Sequence, residues 1–176
     1  MSNENIIIVD DNDNIIGSKP RDIVDKEKLR YRVSCLWIKN SNDEILFARR
    51  AYIKTHFPGK WGPAVSGTVE ENETYEENII KESEEELGLR NINIKKTSKT
   101  KSTGEHNHFT QWFISIINKS VEDFEIQKDE VAEVKWFSRK EFLDCLEKNP
   151  NDFIPRMKEY FEIFENNSVA IYTTSV

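Results

Sequence analysis

Short apolar runs separated by polar turn residues dominate the first fifty positions of the chain. Residues 6–9 and 15–17 are largely apolar and flank Asp10-Asp11-Asn12-Asp13-Asn14, a turn-rich link that predicts a small hairpin. Residues 32–39 are apolar at nearly every position from Val33 to Ile38, as in a strand buried on both faces. Residues 40–43 then turn the chain into a further strand at 44–49, and a loop holding Pro58-Gly59 and Gly62-Pro63 follows. Helical spacing takes over at Thr74, which with Glu77 makes a capping-box pattern; Tyr75, Ile79, Ile80 and Leu87 form the apolar side, and Gly88 is the C-terminal cap. Beyond it, residues 91–101, 109–118 and 131–137 read as strands. The second alternates Trp112, Ile114 and Ile116, with Thr110 in the same register, against Phe113 and Ser115. Ser138 and Glu141 open another helix, through about residue 147, that Asn149-Pro150 stops. A last helix carries Phe153, Met157, Tyr160, Phe161 and Phe164 at core spacing. The pattern predicts one α/β domain over residues 1–165 and a loose tail at 166–176.

Charge changes this picture at one place. The chain has 25 basic and 32 acidic residues, a net charge of -7. Nine glutamates and a single lysine lie between Gly67 and Leu89, which leaves 24 basic against 23 acidic side chains elsewhere. The acidity is local. A near-neutral body with one acidic stripe argues against unaided binding to nucleic acid or an anionic membrane, and points to a cation with a phosphorylated ligand. No stretch approaches membrane-spanning length, and no basic region precedes the first apolar run. Cys35 and Cys145 lie far apart without metal-like spacing and read as buried thiols in a reducing cytoplasm.

Within the stripe the acids sit where a helix least favours them. Glu84, Glu85 and Glu86 crowd the last turn before Gly88, at the negative end of the helix dipole. Glu82 lies three and four residues from Glu85 and Glu86, on the same face, and each like-charge pair costs roughly 0.2–0.5 kcal/mol. A hard divalent cation such as magnesium would turn that repulsion into coordination.

Gly67, five residues, Glu73, seven residues, then Lys81-Glu82-Ser83-Glu84-Glu85-Glu86-Leu87-Gly88-Leu89 resembles the signature of the Nudix hydrolase family. The family pattern has arginine where Lys81 stands and a large aliphatic where Ser83 stands. Lys81 keeps the charge, is expected to pair with Glu77, and lacks the planar fork of arginine. The likeness extends over residues 3–147. Tyr31-Arg32-Val33, Arg49-Arg50-Ala51, Phe57-Pro58-Gly59-Lys60-Trp61, Glu105-His106-Asn107-His108-Phe109 and residues 130–137 are similar to the subgroup around isopentenyl-diphosphate isomerase. Isomerases carry a catalytic cysteine where Ser66 stands, histidines where Thr68 and Tyr31 stand, and metal-binding glutamates near His106 and His108. None of these is present here.

The resemblance implies a Nudix fold: an α/β/α sandwich around a mixed β-sheet, with an N-terminal hairpin and two C-terminal helices. It implies Mg2+- or Mn2+-dependent hydrolysis of a diphosphate linkage, in a nucleoside diphosphate derivative or similar small molecule, by water attack at phosphorus. Glu82, Glu85 and Glu86 would hold the metal, Gly67 would supply a permissive backbone at the substrate, and Glu73, Lys81 and Gly88 would support the motif. The catalytic base is left open among Glu82 and the later acids Glu105, Glu130 and Glu133. Arg50 and Lys54 resemble diphosphate-binding residues. An isomerase-like enzyme and a non-catalytic ligand-sensing module are the alternatives; the expected partner is a small diphosphate, with a homodimer admitted. His106 and His108 would share a strand face, whereas Trp61, Trp112 and Phe57 read as core rather than as a base-stacking platform.

Overall fold

The hydrophobic runs assemble around one long strand in the computed structural model, which describes residues 4–104 and 106–172. The strands are β1 (Asn5–Val9), β2 (Ile15–Pro20), β3 (Tyr31–Lys39), β4 (Ile45–Arg50), β5 (Trp61–Pro63), β6 (Val65–Thr68), β7 (Lys95–Ser102), β8 (His108–Ile116) and β9 (Val131–Phe137). The helices are α1 (Arg21–Glu27), α2 (Tyr75–Leu87), α3 (Arg139–Lys148) and α4 (Met157–Tyr172). β8 runs parallel along the whole of one edge of β3. The other edge is shared, all antiparallel, by β1 at Tyr31, β6 over Val33 to Leu36 and β4 at Ile38 and Lys39. Three strands on one edge force the mixed sheet to splay there, and α2 follows directly from the splayed part through β6.

Alternation along β3 sends neighbouring side chains to opposite faces. Leu36 and Ile38 join Phe113, Val65, Val69 and the α2 residues Ile79 and Leu87. Cys35 and Trp37 join Phe47, Trp112 and the residues Phe142, Met157, Phe161 and Phe164 of α3 and α4. This is the expected α/β/α layering. Trp37 and Trp112 stack at 5.6 Å with their planes 16° apart, so Trp112 is a core residue, as Trp61 is. Each large apolar side chain buried in this way contributes roughly 1.5–3 kcal/mol.

Several elements differ from expectation. β5, β6 and α1 occupy segments without a periodic signal, being three, four and seven residues long. β7 starts four residues late and holds lysines and hydroxyl side chains, a composition suited to a sheet edge. α4 continues to Tyr172, beyond the expected start of the tail at residue 166. Cys145 is half-buried, although Cys35 is fully buried. Ile80 is 44% exposed, because the buried stripe of α2 is instead Tyr75, Asn78, Ile79, Ser83, Glu86 and Leu87. Ser83 tolerates burial by donating its hydroxyl to the Ile79 carbonyl at 2.6 Å. No helix among the described residues is long and apolar enough to cross a membrane.

Both ends of α2 are fixed locally. Thr74 Oγ1 accepts the Glu77 amide at 3.1 Å, and Glu77 Oε2 accepts the Thr74 amide at 2.8 Å. At the other end Gly88 adopts φ +65°, donating its amide to Glu84 at 2.9 Å, and a Cβ there would lie 2.6 Å from Glu125 Cβ. Gly88→Ala is therefore expected to lower stability by about 1–3 kcal/mol, from left-handed strain and the clash together. Thermal unfolding checks this, and an unchanged midpoint would remove the cap from the account.

The hairpin tip is tied to three other elements. Asp13 accepts from Arg32 Nε of β3 at 2.7 Å and from the Tyr75 hydroxyl of α2 at 3.1 Å, and pairs with Lys99 of β7. Burial opposes ionisation of Asp13, but Lys99 and Arg32 hold its carboxyl below the usual range.

Candidate active site

The site forms where α2 crosses β6. Asn78, Glu82 and Glu86 follow one another at four-residue intervals, so they stack along one helix face. Gly67 of β6 lies directly beneath. A Cβ on Gly67 would stand 2.3 Å from Glu82 Cγ and 2.5 Å from its Cδ. The glycine is thus required for space rather than for the permissive loop backbone that the resemblance implies. Asn78, fully buried, shares its amide between the Thr68 carbonyl at 3.1 Å, Glu73 Oε2 at 3.0 Å and Glu82 Oε1 at 3.3 Å. It aims the Glu82 carboxylate and joins it to the loop before the helix. Sequence reasoning missed this residue; the available signal was a polar side chain four positions before Glu82 in an otherwise apolar stripe.

Burial raises the Glu82 pKa to about 7; Lys81 opposes the shift, and the charges of Glu85, Glu130 and Glu73 add to it. Glu86 is 7% exposed and pushed well above the carboxylate range by burial, then by Glu82 and Glu130, while Arg50 and the Ser66 amide pull the other way. Glu85 lies exposed on the helix one turn from Glu82. Among the described residues, no three histidine, cysteine or acid side chains are placed close enough together to hold a metal ion as they stand. The donor chemistry nonetheless fits a hard divalent cation: carboxylates whose pKa values are raised by burial and by neighbouring acids gain from a positive ion beside them.

Lys81 does not pair with Glu77, whose carboxylate is engaged at the helix cap. Its ammonium instead bridges Glu70 at 2.6 Å and Glu73 at 2.7 Å, and lies 4.0 Å from Glu82 Oε1. Burial works against this ion, yet the two carboxylates hold its pKa above the ordinary lysine range. Lys81 thereby clamps the loop at 70–73 to the helix.

The later acids separate cleanly. Glu133 is on β9 opposite Arg49 and pairs with it at 2.8 Å, facing away from the helix carboxylates. Glu130, one residue before β9, pairs with Lys54 and lies in the wall shared with Glu86 and Arg50. Glu105 falls outside the described residues. Arg50 is anchored by its Nε on the His56 carbonyl at 2.9 Å. Burial lowers its pKa, and the charges of Glu86 and Glu130 counter the shift.

A cavity of about 370 Å³ opens beside Glu86 and Glu130. Its floor is Tyr31, Val33 and Cys35 of β3 with His108, Thr110 and Trp112 of β8, and all three histidines of the chain line it. His106 precedes β8 rather than belonging to it, but both it and His108 face the cavity. The His108 ring lies 5.5 Å from that of Tyr31, and its buried Nδ1 has no hydrogen-bond partner among the described residues. Burial, then the charges of His106, Arg156 and Arg30, bring its pKa down to about 4, so it is a neutral imidazole at pH 7. The arginines at the rim are engaged: Arg156 donates to Glu159 and Ser102, and Arg21 to Thr68, each at 2.8 Å. The cavity is thus mainly apolar, with polar groups among its walls, and is not strongly cationic.

A family model described as the NUDIX domain matches residues 28–157. An uncharacterized Nudix hydrolase of Yersinia pestis is 29% identical over 136 residues, covering 73% of this chain and 70% of the relative. An isopentenyl-diphosphate Delta-isomerase of Kocuria rhizophila is 27% identical over 161 residues, covering 86% of this chain and 87% of its own. The fold is similar to that of DR0079 from Deinococcus radiodurans, with a TM-score of 0.70 and 21% identity over 82% of this chain and 90% of that one. It is also similar to the Nudix domain of Shewanella oneidensis NrtR, complexed with ADP ribose, with a TM-score of 0.60 and 16% identity over 77% and 86% of the two chains. With helix carboxylates laid over a strand glycine and a family model spanning most of its length, this chain belongs to the Nudix family.

Proposed function

We propose that the protein is a divalent-cation-dependent diphosphohydrolase acting on a nucleoside diphosphate derivative or a similar small molecule. The observation that carries this reading is a pair of neighbouring carboxylates with raised pKa values: Glu82, half-buried over Gly67, and Glu86, buried at the edge of a ligand-sized cavity. Glu82, Glu85 and Glu86 would hold Mg2+ or Mn2+, which when bound neutralises phosphate oxygens and makes a water molecule more acidic. Asn78 and Lys81 keep Glu82 oriented. Arg50 faces the charge of the diphosphate with its guanidinium already desolvated and anchored. Glu130 accepts a proton from the attacking water on its carboxylate, the role for which Glu133 is misplaced. The cavity receives the organic group beyond the diphosphate: its volume lies in the range of small-molecule sites and would accommodate a nucleoside. The fold neighbour complexed with ADP ribose is compatible with such a group.

An isomerase reading has the Kocuria rhizophila relative in its favour. Against it stand Ser66 and Thr68, the latter engaged by Arg21. Cys35, which pairs with Ser66 across β3 and β6, has its thiol pKa raised by burial.

Phosphate release from a panel of nucleoside and isoprenoid diphosphates in Mg2+ tests the proposal, comparing native protein with Glu85→Gln. The expected result is turnover of a nucleoside derivative by the native protein. The variant should lose on the order of 100-fold or more, since residues merely supporting metal ligands already cost up to about that. If both proteins bind ligand yet neither cleaves anything, the hydrolase reading fails.

A further inference from the structure

Lys54 and Glu130 have roles that conflict while they touch. Their side chains form an ion pair, yet Lys54 resembles a diphosphate-binding residue and the hydrolysis proposed above asks Glu130 to serve the reacting water. Backbone geometry holds both partners in place. The Lys54 amide donates to the Ala51 carbonyl at 3.1 Å, closing a turn, and the Ala51 amide donates to the Glu130 carbonyl at 2.9 Å. On the other side the Glu130 amide donates to Gln127 at 2.9 Å, and the Gln127 amide to the Glu86 carbonyl at 3.0 Å. A continuous path of backbone hydrogen bonds therefore joins the metal-binding end of α2 to the loop that carries Lys54. The same loop brings His56 and Phe57 to the cavity wall.

We infer that Lys54 is a positioning residue that holds Glu130 away from the cation until a diphosphate arrives, then exchanges that carboxylate for a phosphate oxygen. The inference rests on the hydrolase reading. An ammonium on Glu130 cancels the charge by which that carboxylate would help draw a cation to Glu82 and Glu86. Phosphate gives the lysine another anion and frees Glu130, so each ligand removes an obstacle to the other, and the coupling is reciprocal. A compact charge on a flexible stem can make such an exchange without moving the backbone.

The test is Mn2+ affinity by calorimetry, without substrate, for native protein, Lys54→Gln, Glu130→Gln and the double variant. Lys54→Gln should bind Mn2+ about tenfold more tightly than native protein, within the span of ordinary coupling energies. Lys54→Arg should restore native affinity, and the gain should vanish in the Glu130→Gln background. A gain that persists without Glu130 is a general charge effect and overturns the exchange, as does unchanged or weaker Mn2+ binding in Lys54→Gln. Calorimetry needs no turnover. An inactive protein with this cycle intact therefore refutes the reaction alone, and an active protein with a flat cycle refutes the exchange alone.

Discussion

Glu82→Gln is expected to abolish turnover and yet raise the melting temperature of the metal-free protein, by an amount that grows with pH. The Glu82 carboxyl is held at a pKa of about 7 against an ordinary 4.5, by burial first and by neighbouring acids after the opposition of Lys81. Its proton is thus bound more tightly in the folded state than in the unfolded one. The associated stability is complete below about pH 4.5 and is lost as pH rises through 7. At pH 8 the ionised carboxylate costs the fold on the order of 3 kcal/mol relative to acid conditions, a slope that glutamine lacks. For a chain of this length 1 kcal/mol is roughly 2–4 °C, so the variant should gain several degrees at pH 8 and little at pH 5. Melting curves in a chelator at the two pH values check this; equal shifts at both would remove charge from the explanation. Added Mg2+ should raise the native midpoint and move that of the variant much less, because a ligand stabilises only the state that binds it.

Gly67→Ala should reduce kcat/KM on the order of 100-fold, the penalty expected when a reacting group moves by about 1 Å. The new Cβ would meet Glu82 Cγ at 2.3 Å, Cδ at 2.5 Å and Oε1 at 2.6 Å. α2 cannot retreat to make room, since Ile79 and Leu87 on the same helix are fully buried. The carboxylate must therefore rotate off its Asn78 contact. The Mg2+-induced rise in melting temperature should shrink along with the activity. Near-native activity in this variant would show that Glu82 is not held in its working position by contact with Gly67.

How much of this was legible in the sequence depended on whether a feature is local. α2 was legible end to end because its capping box, its cap glycine and its excess charge all lie within one segment. The partner of Lys81 was not. Helical spacing offered Glu77, but that carboxylate completes the cap, and the two acids that reach Lys81 come from the loop at 70–73. Glu130 and Glu133 are three residues apart and equivalent in sequence; the register of β9 on β4 separates them. Asn78 was missed and Ile80 misplaced for one reason. Hydrophobicity predicts the buried face of an ordinary helix, whereas the buried face of α2 includes the site and so carries Asn78, Ser83 and Glu86. α1, β5 and β6 are too short to set up a period and exist through their neighbours.

The Asp13 tie has a bearing on where the unit can be cut. The family model begins at residue 28, yet the loop at 10–14 is fastened to Arg32, Tyr75 and Lys99. A polypeptide trimmed to the family bounds would keep every signature residue and lose the carboxylate that secures the first turn of α2, leaving Arg32 and Lys99 beside an uncovered tyrosine. Conserved-sequence boundaries and mechanical boundaries do not coincide here, and a shortened protein would be a test of the hairpin before it was a test of the catalyst.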